Sequence, residues 1–168
     1  MPALFAAFAG FSDWRSRRIP NWLTVGGLLL GIAANSLLRG WPGAKDSLQG
    51  AGLGFLLLLP FVVAKGIGMG DLKMVVALGA LLGPANLLTV LVLGVFVNAL
   101  MAAVMIVQKK RVRETARNLA HMLGAFVRMH LPGPELTLDN PNLVKVPFGV
   151  AIAIAVILYT AGHAWGAA

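Results

Sequence analysis

The chain contains no cysteine, which excludes disulfide bonds and any zinc site built on thiolates. Charge is scarce as well: Asp, Glu, Lys and Arg make up 12% of the 168 residues, against 58% hydrophobic, and the mean hydropathy is +0.82. Soluble domains carry about twice that share of charge, so the sequence reads as an integral membrane protein. Acidic side chains are the rarest class, six against fourteen Lys and Arg, for a net charge of +8. In a soluble protein that balance would point to nucleic acid. Here the placement of the charges matters more than their sum, and no nucleic-acid partner is expected. The three histidines, His121, His130 and His163, are scattered, so the sequence offers no credible metal-ligand cluster and neither a metal nor a cofactor is expected. There is no internal repeat, no low-complexity linker and no sign of a second domain, so residues 1–168 read as one unit. The apolar start runs into Asp13, Trp14 and Arg15 rather than a small-residue cleavage site; the first segment is expected to remain as an anchor.

What is present is a series of apolar segments near 2–12, 21–38, 48–64, 72–83, 86–107 and 146–165. A helix needs roughly 20 residues to span a bilayer. The expected fold is therefore all-α and polytopic, with six transmembrane helices. The first and fourth segments are short. They can span only if helix continues past Asp13 in one and through Pro84 in the other. Basic residues orient the set: with the N-terminus outside, twelve of the fourteen fall in inner connections and only Arg39 and Lys45 in outer ones. Both termini are then outside. In the long inner connection, Val112, Ala116, Leu119, Leu123, Phe126 and Val127 recur at helical spacing among Arg113, Arg117 and Arg128, which suits an amphipathic helix on the anionic inner leaflet. Prolines and glycine at 132–134 and the Asp-Asn-Pro-Asn run at 139–142 predict an irregular loop after it. Glycines four apart at 27/31, 50/54 and 79/83 are read as close helix packing. Trp14 and Trp22 inside, and Trp41 and Trp165 outside, are expected as interfacial anchors.

Two of the six acidic residues stand apart. Asp46 belongs to an outer connection, and Glu114, Glu135 and Asp139 to the large inner one, where solvation accounts for them. Asp13 and Asp71 lie at the cytoplasmic ends of the two short helices, 58 residues apart in sequence. Asp71 follows glycines at 66, 68 and 70, which let the backbone bend and another chain approach. It could simply cap the next helix. An ionisable group at a membrane boundary is nevertheless a functional-site candidate. Two carboxylates held together in a low dielectric do not both ionise easily, so one keeps a proton while the other stays charged. The charged member can take a proton from water as it attacks a peptide carbonyl, and the protonated member can donate to the oxygen and then to the leaving amine.

Asp13 with Arg17, Arg18, Ile19, Pro20 and Asn21, then Gly68-Met69-Gly70-Asp71 with Lys73, then Val146-Pro147-Phe148-Gly149, together resemble the type IV prepilin peptidases, aspartic proteases of the inner membrane that share a Gly-x-Gly-Asp signature. The resemblance covers nearly the whole chain. It implies cleavage of the short basic leader from prepilins and pilin-like proteins at the cytoplasmic face, with Asp13 and Asp71 as the catalytic pair. Gly68, Gly70, Arg18, Ile19, Pro20, Asn21, Pro147, Phe148 and Gly149 match positions expected to shape the site. Lys73 would pair with Asp71 or with an acidic group of the substrate, or serve as an interfacial anchor. Larger family members carry an added region with paired Cys-x-x-Cys motifs and also methylate the new N-terminus. This cysteine-free chain is expected to be a peptidase without that activity. Other readings are a small proton-coupled transporter, which would place its carboxylates near the midplane, and an intramembrane protease of the presenilin or signal-peptide-peptidase type, which shares Gly-x-Gly-Asp.

Overall fold

A computed structural model describes residues 1–16, 19–108 and 146–166. The expected amphipathic helix at 112–129, the loop that follows it, Arg17 and Arg18 lie outside the described residues. The described residues form five helices: α1 (Pro2–Ser16), α2 (Asn21–Val63), α3 (Met69–Leu82), α4 (Pro84–Gln108) and α5 (Phe148–Gly166). No strand occurs among the described residues. Proline opens several of them. Pro2 and Pro84 are the first residues of α1 and α4, where a missing N–H costs nothing, and Pro20 and Pro147 stand just ahead of α2 and α5.

The 43 residues of α2 are two limbs rather than one rod. At Gly40 the backbone takes φ 63° and ψ −145°, a region that only glycine enters readily, and the chain doubles back there. The side chains of the two limbs then meet: the Ser47 hydroxyl accepts a 2.8 Å bond from Asn35 Nδ2 and donates 2.8 Å to the Ala80 carbonyl of α3, with the Gly31 carbonyl at 3.3 Å. Asn35 also donates to the same Ala80 carbonyl at 3.0 Å. Ser47 is fully buried, and this knot satisfies polar groups that would otherwise be stranded in an apolar interior.

Glycine sets how closely these pieces pack. Gly50 of the second limb faces Gly79 of α3, Gly54 faces Val75, and Gly31 of the first limb lies on the Ala80 peptide, where a Cβ would sit 2.8 Å away. Gly27 receives the ring of Phe5 from α1. The packing role expected for the four-residue glycine spacing holds at each of these positions. Gly83 differs: with φ 77° it ends α3 and hands the chain to Pro84. Helix α3 therefore stops before Pro84, whereas α1 does continue past Asp13 to Ser16.

On the other side, α5 packs between α1 and α4. Gly10 of α1 lies against Ala153, and Gly94 of α4 against Ile152 and Ala155. The interior is filled by Met74, Val75, Leu78, Leu87, Val90, Ile152 and Val156. Large apolar side chains such as Leu29, Leu30, Val92, Phe96 and Leu158 point outward, the inverse of a soluble surface. Among the described residues, α2, α4 and α5 are long and apolar enough to cross a membrane. All four tryptophans are exposed, and the Gly40 reversal is flanked by charge, with Arg39 3.8 Å from Asp46 and Lys45 5.7 Å from the Trp41 ring.

Candidate functional site

The end of the bundle away from Gly40 gathers the close of α1, the starts of α2 and α3, and the start of α5. Asp13 lies one turn before the end of α1 and is 8% exposed. It is seated over Gly149 in the first turn of α5: a Cβ on that glycine would stand 2.8 Å from Asp13 Oδ2 and 3.0 Å from its Cβ. The third motif seen in the sequence thus reaches the site through its glycine. Pro147 accepts a 3.3 Å bond from the Ala151 N–H at the start of α5, and Phe148 packs against the core.

Asp71 occupies the first turn of α3, ahead of the apolar run that begins at Leu72. Its carboxylate folds back over Gly68, the residue that precedes the helix, and accepts that residue's backbone N–H. This is the acidic half of a capping box, so the capping role is fulfilled. It does not exhaust what Asp71 does. Asp71 is partly buried, and Asp13 lies within electrostatic reach of it across α1 and α3. The pair can hold one proton between them.

The connection from α1 to α2 runs over the same turn. Ile19, 9% exposed, lies 3.8 Å from where a Cβ on Gly70 would be, an ordinary van der Waals distance. Asn21 Oδ1 accepts a 3.0 Å bond from Lys73 Nζ. Lys73 is two residues past Asp71, about 200° round the helix, and its ammonium turns to Asn21 rather than to Asp71. Of the residues singled out in the sequence, the fold brings together Asp13, Asp71, Gly68, Gly70, Ile19, Asn21, Lys73 and Gly149. Pro20 and Pro147 act as helix starters, and Arg18 lies outside the described residues.

One feature was not foreseen. A groove of about 370 Å³ separates α3 from the first limb of α2, lined by Met69, Leu72, Lys73 and Val76 on one side and Asn21, Thr24, Val25 and Leu28 on the other, with Phe55 behind. Both sets follow the i, i+3, i+4, i+7 rule for one helical face. That matching pair of stripes is the sequence signal that could have revealed it. Among the described residues no three His, Asp or Glu side chains converge as metal ligands, and His163 is engaged with Tyr159 at 3.2 Å.

Over residues 2–106 the sequence matches the family model described as the type IV leader peptidase family. No match was found among curated proteins or solved structures. The matched stretch runs from the start of α1 to the last turn of α4 and includes both Asp13 and Asp71. It covers more than half of the chain, and with its apolar helices the protein is a membrane protein that belongs to the type IV leader peptidase family.

Proposed function

We propose that the protein is an aspartic endopeptidase that removes the basic leader from type IV prepilins or pilin-like proteins at the cytoplasmic face of the inner membrane. The observation that carries this is the placement of Asp13 and Asp71 within electrostatic reach of each other at one end of the bundle, because two carboxyls so placed do not both ionise easily and one keeps a proton while the other is charged. Asp13 as carboxylate takes a proton from water while the water oxygen bonds to the scissile carbonyl carbon. Asp71 gives its proton to the carbonyl oxygen. As the tetrahedral intermediate collapses, Asp71 recovers a proton from one of its hydroxyls and gives it to the leaving nitrogen while the C–N bond breaks, and Asp13 releases to Asp71 the proton it took from water, which leaves a leader carboxylate, a new N-terminal amine and the two carboxyls as they began. Hydrolysis needs no group beyond these carboxyls, and methylation of the new N-terminus forms no part of the proposal.

The proposed topology counts each limb of α2 as one span and α1 and α3 as spans beside α4 and α5, six in all, with both termini outside. Arg15, Lys65 and Lys73 lie at the aspartate end of the bundle, which the positive-inside rule assigns to the cytoplasm, facing anionic lipid. The test is incubation of the purified protein in lipid with candidate prepilins, with mass spectrometry locating the cut. A single cut at the leader boundary supports the reading, and an intact prepilin refutes it.

A further inference from the structure

The segment that joins α1 to α2 is fastened to α3 at two points, one on each side of Asp71 in sequence. Ile19 lies over Gly70, the residue before it, and Asn21 holds Lys73, two residues after it, through a 3.0 Å hydrogen bond. Both partners of that bond are exposed. Lys73 points about 200° away from Asp71 around α3, so a peptide reaching the carboxylates need not touch the bond. What the bond fixes is the path of the chain. Ile19 is three steps along the chain from Ser16, the end of α1, and three steps span at most roughly 11 Å. Asp13 lies within the last turn of α1. Anchoring residues 19–21 on the first two turns of α3 therefore restrains how far Asp13 can move from Asp71.

We infer that Asn21 and Lys73 are positioning residues: their hydrogen bond clamps the α1–α2 connection to the Asp71-bearing turn and so sets the separation of the two aspartates. They act on the geometry of the pair and not on the substrate. The inference builds on the peptidase reading for its rate readout, but its distance readout is independent of that reading.

The absence of native cysteine makes the test direct. Phe8→Cys on α1 and Val63→Cys at the end of α2 replace exposed side chains, and the second limb of α2 packs on α3, so spin labels there report the α1-to-α3 spacing in the full chain in lipid. Asn21→Ala and Lys73→Met are expected to broaden the distance distribution and shift it outward. Asn21→Asp, which keeps an acceptor for the ammonium, is expected to restore the original distribution. With a prepilin substrate, the first two variants should lower kcat by about tenfold or more with little change in KM, and Asn21→Asp should recover most of the loss. Unchanged distances in Asn21→Ala and Lys73→Met overturn the clamp, as does a raised KM at constant kcat, which would make the two residues substrate contacts. If the unmodified protein cleaves no prepilin, the peptidase reading fails and the distances alone decide on the clamp.

Discussion

At position 149 the absence of a side chain is what admits Asp13. A methyl group there would meet the carboxylate at under 3 Å, and Gly149 is packed into the interior of the site, so the Asp13 side chain has to turn away. Helix α5 itself would gain from the exchange, since alanine is favoured over glycine in a helix by about 1 kcal/mol. Gly149→Ala is therefore expected to keep the helical content by circular dichroism while lowering the cleavage rate by about tenfold to a hundredfold. Asp71 makes a second prediction. It donates a proton in the proposed reaction, so kcat/KM should decline on the alkaline side as that proton is lost, and Asp71→Asn should abolish cleavage while leaving the protein folded, as read from thermal unfolding in detergent.

The elements owe their arrangement to a few local decisions. Gly40 lets α2 turn back on itself, and any side chain there has to adopt a strained backbone; Gly40→Ala should cost about 1–3 kcal/mol, read from thermal unfolding in detergent. Ser47→Ala should cost a similar amount, about 1–3 kcal/mol, by stripping Asn35 of one acceptor and the Ala80 carbonyl of one donor. Much of this was legible in the sequence. The apolar runs at 21–38 and 48–64 anticipate the two limbs, the prolines mark helix starts, and the paired glycines at 50 and 79 mark where helices touch. The run at 72–83 was harder. Its helix begins at Met69 because Asp71 caps the Gly68 N–H, and it ends at Gly83 because that residue has a positive φ. The partner of Lys73 was not legible at all. The sequence suggested Asp71 or an acidic group of the substrate, and only the placement of α3 beside the first limb of α2 brings Asn21 to the ammonium.

Across the whole molecule, the site end and the Gly40 end are chemically different, and the proposed orientation turns that into an experiment. Single cysteines placed in the 39–45 turn should react with a membrane-impermeant thiol reagent from outside intact cells. A cysteine at Lys65 should react only after the membrane is opened. The central claim concerns the two carboxyls, 58 residues apart in sequence, that α1 and α3 bring to one end of the bundle. The most direct measurement is prepilin cleavage by the purified protein beside its Asp13→Asn and Asp71→Asn variants, each first shown to be folded. The account predicts leader removal by the unmodified protein and none by either variant; full cleavage by one of them would contradict it.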